Sequence, residues 1–198
     1  DLPQTPPTFP VSNQGRLVDT MQVYTLHRRG HVVVATAVAK MSEGSDEPQD
    51  ARLLEDPGSQ ATFITRSCII RVGLITQPTE VPVLGIGYTA LGICCQLVDC
   101  QFKPERLVDH RITALVVDFI IQTPLCPLPL LPSERLLGKR LADPEYFKPA
   151  EVVVLLGAGW CGCVMVVEPQ CGPPGTPTLI ESIWGLCLIG RQGRVCAT

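Results

Sequence analysis

The apolar positions of the chain fall in short runs, and their period changes from one run to the next. Residues 31–39 are β-branched and alanine-rich, fitting a buried strand, and 42–50 is a polar, acidic connection suited to a hairpin loop. Residues 52–55 form a short strand that runs directly into Asp56-Pro57-Gly58-Ser59. Phe63-Ile64 continues extended, after which Thr65 can cap a helix and Gly73 can end it, so the pattern predicts a short helix between them. Residues 80–87 and 92–102 flank a glycine-rich tip and predict a hairpin. Residues 112–121 read as a strand, and 123–132, with four prolines, as an extended surface crossing. Residues 152–156 read as a buried strand entering a glycine-rich turn, and 183–189 as a last strand. No internal repeat with a period of roughly 20–50 residues is visible.

Composition agrees with that pattern. Nineteen prolines and 17 glycines against 5% aromatics favour short strands joined by many turns, and the expected class is all-β, β-rich with one or two short helices. With 198 residues, 45% of them hydrophobic, the chain can bury a substantial core. The stretch 1–14 holds Pro3, Pro6, Pro7 and Pro10 and no apolar periodicity. The expected organisation is a proline-rich linker or tail over 1–30, one folded domain over 31–191, and a C-terminal tail over 192–198.

Charge and cysteine usage narrow the partners. A formal charge of −3 and a pI near 5.6 supply no basic surface of the kind that neutralises phosphates, so no direct nucleic-acid ligand is expected. The uncharged run 152–167 falls short of the about 20 residues that a spanning helix needs and contains three glycines, so it is expected to be a buried core segment and not a membrane span. The start of the chain is polar and carries no apolar signal-peptide core, which points to an intracellular, cytoplasmic location with the ten cysteines as free buried thiols. Cys94, Cys95, Cys100, Cys161 and Cys163 do not repeat a two-residue ligand spacing, and His27, His31 and His110 are distant from them in sequence. No metal and no cofactor are expected.

One carboxylate stands out by its setting. Asp56 follows the apolar pair Leu53-Leu54 and precedes Gly58, where a residue without Cβ lets the backbone approach a substrate closely. Pro-Gly is also the preferred centre of a type II turn, with Asp favoured before it, so these four residues taken alone also describe an ordinary turn.

The wider context favours chemistry. Residues 51–64, Ala-Arg-Leu-Leu-Glu-Asp-Pro-Gly-Ser-Gln-Ala-Thr-Phe-Ile, resemble the signature of the Bel/Pao retrotransposon aspartic peptidases, in which an apolar strand enters Asp-Ser-Gly-Ser-Gln and leaves through Phe-Ile. Leu141-Ala142-Asp143-Pro144, with Phe147 and Pro149, resembles that family's Leu-Ala-Asp-Pro block, and Leu155-Leu156-Gly157-Ala158 its Leu-Leu-Gly-Ala-Asp block. Gly175-Thr176-Pro177, followed by residues 181–185 and Gly190, is similar to its closing segment. The resemblance implies a retropepsin-like acid-protease barrel with one catalytic aspartate per chain, completed by a homodimer. Asp56 would be that aspartate, supported by Pro57, Gly58 and Ser59. Gly85, Ile86 and Gly87 would form the flap over a peptide or polyprotein substrate, and Leu155, Leu156 and Gly157 would pack beneath the catalytic loop.

Two positions depart from the family. Where it has Ser or Thr, whose hydroxyl locks the two catalytic loops together across the dimer, this chain has Pro57, with no side-chain donor and no backbone N–H. Where its block carries an aspartate, this chain has Gly159. The sequence therefore supports an aspartic endopeptidase of retrotransposon origin that uses a water between paired aspartates, ahead of a decayed or domesticated copy that keeps the fold and only binds, and of an inert structural segment of a larger polyprotein.

Overall fold

The computed structural model describes residues 31–42, 47–85, 88–103, 110–123, 128, 136, 138–166 and 168–193. The expected linker over 1–30, the flap positions Ile86 and Gly87, and most of the proline-rich crossing lie outside the described residues. What is described is mostly β-strand with two short helices, the class the turn-rich composition predicts.

Six strands close on themselves. Strand β2 (Thr36–Met41) pairs antiparallel with β3 (Gln49–Glu55). β3 does not continue onto its sequence neighbour β4 (Phe63–Thr65); β10 (Val154–Leu156) inserts between them, parallel to β3 and antiparallel to β4. β4 then pairs with β7 (His110–Val117), β7 with β6 (Ala90–Lys103), and β6 returns to β2 through Lys40↔Lys103 and Met41↔Phe102. Among the described residues, strand β5 (Thr76–Leu84) pairs with β6 alone and forms the outer arm of a hairpin. The ring encloses the main core, in which Met41, Leu53, Ile64, Phe102, Ile112 and Leu156 are all 1% exposed or less. Each such side chain contributes about 1.5–3 kcal/mol on burial, so this interior supplies most of the driving force. Trp184 closes one side of it, edge-on to Phe102 at 6.1 Å between ring centroids.

Helix α1 (Arg66–Val72) lies where the caps predict: the Thr65 hydroxyl accepts from Cys68 N–H at 3.3 Å, and Gly73 ends it at φ 80° with its N–H donating to Ile69 O. Other expectations are corrected by the tertiary pairing. The strand expected over 31–39 breaks at Val34-Ala35, because β1 (His31–Val33) pairs with β12 (Gly185–Gln192) while β2 belongs to the ring. The strand expected over 112–121 ends at Val117, and β8 (Ile121–Thr123) pairs instead with β9 (Ala150–Val152). The run 152–156 is interrupted at Val153, whose N–H donates to Arg52 O and whose carbonyl accepts from Thr65 N–H. The expected glycine-rich turn after it is a helix, α2 (Ala158–Val164).

The last expected strand, 183–189, is also corrected. Ile183 and Trp184 form the two-residue turn between β11 (Thr178–Ser182) and β12, and they are apolar because the turn is pressed into the main core. Gly185 follows at φ 127°, where a Cβ would stand 2.7 Å from Arg140 O. β12 runs on through Gln192, which is buried and pairs with His31, so the fold extends past residue 191.

One buried ion pair joins the ring to the segment outside it. Arg52 of β3 and Asp143 lie 2.6 Å apart with side chains 9% and 2% exposed. Arg52 Nε also donates to Asp143 Oδ2, its Nη1 to the carbonyls of Thr123 and Lys148, and its Nη2 to Glu145 O. Asp143 in turn accepts from the Thr36 hydroxyl at 2.7 Å and from Glu145 N–H at 3.0 Å. Breaking a buried pair on one side leaves an uncompensated charge, a loss of about 3–5 kcal/mol. In urea unfolding, Arg52→Ala and Asp143→Ala are each expected to lose that much stability, whereas Lys148→Ala, on an exposed pair with Glu145, is expected to change it by less than about 1 kcal/mol. Equal small effects for all three would show that the network is dispensable.

Candidate functional site

Strand β3 delivers Asp56 to a loop, residues 56–62, that returns into β4 on the far side of the inserted β10. Because β10 occupies the place between the two limbs, the loop must bridge it, and it does so through hydrogen bonds to the end of that strand and to the two residues after it. Asp56 N–H donates to Leu156 O at 2.9 Å, Ala158 N–H to Ser59 O at 2.7 Å, and Gly157 N–H to the Thr62 hydroxyl at 3.1 Å. The approach is too close for a side chain at Gly157: a Cβ would lie 2.6 Å from Ala61 O and 2.9 Å from Ser59 O. The Leu156-Gly157 pair thus lies against the loop, while Leu155 joins a smaller apolar cluster with Leu54, Ile120 and Val152.

Within the loop, Asp56 Oδ1 accepts from Gly58 N–H at 3.0 Å and Asp56 O from Ser59 N–H at 3.2 Å. Gly58 does not take a positive φ, so the turn is not the type II that Pro-Gly favours. Asp56 is half-buried, Pro57 and Gly58 are exposed, and the Ser59 hydroxyl donates to Ala61 O at 2.8 Å. One Asp56 carboxylate oxygen is therefore oriented by the loop itself, and Pro57 presents its ring to the outside with nothing to donate.

Gly85 is half-buried beneath the Leu91 side chain, and its N–H donates to Thr89 O at 2.8 Å. Tyr88 beside it has φ 59° and is 87% exposed. No hydrogen bond joins Gly85 to Asp56 among the described residues, and neither of two clefts includes them. A cleft of about 210 Å³ adjoins the second half of the Asp56 loop, between Gln60, Thr62, Thr113 and Trp160, with Gly159 at its margin. A Cβ at Gly159 would meet nothing within 4 Å. A cleft of about 270 Å³ lies apart, between Lys139, Arg140, Glu181 and Trp184.

Sequence reasoning missed the residue next to Asp56. Glu55 is 3% exposed; its Oε1 accepts a thiol hydrogen bond from Cys187 at 3.5 Å, and its Oε2 has no partner. Burial raises its carboxyl to about pH 7. An orphaned neutral carboxyl costs about 1–3 kcal/mol, far less than an unpaired buried charge, so protonation is the cheaper state. The signal was a Glu directly after two leucines in a strand whose two faces are both buried.

The cysteines carry no disulfide among the described residues: Cys68, Cys94, Cys100, Cys161 and Cys187 are buried, but Cys95, Cys163 and Cys171 are exposed, contrary to the expectation of buried thiols throughout. Burial pushes the Cys100 thiol up to about 12 and also raises Cys161 and Cys187, so these thiols are poor nucleophiles. No three of the described His, Cys, Asp and Glu residues are grouped to hold a metal ion, and no described helix is long and apolar enough to cross a membrane.

No protein-family model, no curated protein and no solved structure matches the chain.

The contact at Gly157 makes a direct prediction. Gly157→Ala must displace the 59–61 backbone, an overpacking cost of about 1–3 kcal/mol, and it should loosen the Asp56 loop together with the fold. Gly159→Ala, in open space, should leave the stability in urea unfolding within about 1 kcal/mol of the parent or raise it. Equal stability of Gly157→Ala and the parent would mean that loop and strand are not in fixed contact.

Proposed function

We propose that the chain is a retropepsin-like aspartic peptidase domain of retrotransposon origin, acting on peptide or polyprotein substrates as a homodimer. The observation that carries this reading is the setting of Asp56: one carboxylate per chain, on a loop that bridges an inserted strand and is pinned to it through Leu156, Gly157 and Ala158. The closed ring of six strands and the resemblance of four sequence blocks support it.

In this reading two Asp56 carboxyls, one from each copy, share a proton across a bound water. Like charges held close cannot both ionise, so one remains acid and protonates the leaving amine while the other, as base, draws a proton from the water. Activity then belongs to acidic or mildly acidic pH, where the pair holds a single proton. The Gly85–Gly87 tip is the candidate lid over the peptide.

A second reading is favoured by one residue. Pro57 faces outward with no donor at the position where the family's hydroxyl ties one loop to its mate, which suits a domain that keeps the fold and binds without cutting.

Pro57→Ser distinguishes them. The interchain bonds it would restore are worth about 0.5–1.5 kcal/mol each, so four across a symmetric pair shift dimer affinity by roughly several tens-fold or more. Sedimentation at graded concentrations and cleavage of a peptide library below pH 6 should both rise in Pro57→Ser, and Asp56→Asn should abolish all cleavage. Pro57→Ser that dimerises yet never cuts would favour the binding module. Cleavage by Asp56→Asn would remove the peptidase mechanism altogether.

A further inference from the structure

The carboxyl beside Asp56 is buried at the end of a ring strand with one oxygen unpartnered, and the peptidase mechanism does not use it. Glu55 lies with Leu53 on the core face of β3, whereas Arg52 projects from the other face to Asp143. The titratable groups around Glu55 are acids or thiols: Cys187 from β12, Cys161 from α2, and Asp56 next in the chain. β11 presents the Ser182 hydroxyl, which touches Cys187, and β10 presents only apolar side chains. The charged groups of β2 and β3 are committed elsewhere, Lys40 to Asp50 and Arg52 to Asp143. No cation among the described residues is placed to neutralise a Glu55 carboxylate.

We infer that Glu55 is a positioning residue for the loop that carries Asp56, holding it in place as the neutral acid and releasing it as the carboxylate. The connection is through the backbone. Glu55 N–H donates to Ala35 O at 2.9 Å, Glu55 pairs in register with Leu156, and Leu156 O is the acceptor of Asp56 N–H. A charged Glu55 gains hydration only by leaving the core face, and that movement draws on these bonds and therefore on the attachment of Asp56. The burial of Glu55, its unpartnered oxygen and these backbone bonds carry the link to the loop, and the raised carboxyl gives its direction; the bearing on catalysis rests on the peptidase reading above.

The sign follows from the raised carboxyl. In the closed loop Glu55 titrates at about 7, and once open to water near 4.5. The closed loop therefore binds the proton more tightly, its hold is complete below about pH 4.5, is lost progressively as pH rises to about 7, and is constant above. Within that window the opening equilibrium should grow by up to about tenfold per pH unit. A loop held most firmly in acid is held where a carboxyl pair sharing one proton works.

The test uses amide hydrogen exchange and carboxyl-carbon NMR on the full chain. After division by intrinsic exchange rates, protection of the Asp56 amide should fall steeply between pH 4.5 and 7. Glu55→Gln, isosteric and always neutral, should keep the acid-state protection at every pH. The Glu55 carboxyl signal of the unaltered chain should titrate near 7, and with the Asp56 exchange profile of the same chain this tests the inference even if the variant fails to fold. A Glu55 midpoint near 4.5, pH-independent Asp56 protection, or an unchanged pH dependence in Glu55→Gln would each overturn the inference. If the chain cuts peptides, Glu55→Gln should extend activity toward neutral pH. If it does not, the exchange result still tests the loop, and only the peptidase reading is lost.

Discussion

Arg52 and Asp143 join the ring to the 143–148 segment through side chains, beside the backbone bond from Val38 N–H to Ala142 O. The guanidinium lies beneath β3 with its donors spread over a carboxylate and three backbone carbonyls, so it fastens the 143–148 segment and the end of β8 to the ring in one step. Removing these groups from water is expensive, and it is tolerable only because the remaining carboxylate lone pairs are also filled, by Thr36 and by Glu145 N–H. A planar fork with five donors can do this; a lysine ammonium, with three donors at one point, could not reach the same set of acceptors. Pairing with β2 and β10 places β3, the network fastens the outer segment to it, and the end of β3 sets the place of Asp56.

The second constraint is the insertion of β10 between β3 and β4. Neighbours in sequence that are not neighbours in the sheet leave the intervening loop stretched over a strand end, where its backbone groups must find partners. They find Leu156 O, Gly157 N–H and Ala158 N–H, and the close approach is possible because residue 157 has no side chain. A loop fastened at several backbone points can hold a carboxylate at a fixed place without burying it. Glu55 lies beneath the same hinge, and so the protonation state of a core group acts on a surface one.

Local signals carried much of the architecture. Thr65 and Gly73 mark the ends of α1 because capping is decided by one hydroxyl and one left-handed backbone, both written in single residues. The alternation of short apolar runs with Pro and Gly was enough for a β-rich class. Asp56 was singled out by its place after an apolar strand and before Gly58, and the close contact of Gly157 with its loop lay in a block that the sequence already set apart.

Only the tertiary structure decided the rest, because it depends on partners remote in sequence. Residues 31–39 are uniformly strand-like, yet they break where the chain changes sheets; nothing local to Val34-Ala35 requires it. Ile183-Trp184 is a turn whose hydrophobicity serves the core, so its composition imitates a strand. Arg52 looked like an ordinary strand residue and Asp143 like part of a block, and only their meeting across 91 residues shows what each is for. Glu55 is the clearest case: its burial and its missing partner are properties of the closed ring, since a carboxyl's affinity for its proton is set by what surrounds it in space and not by what precedes it in the chain.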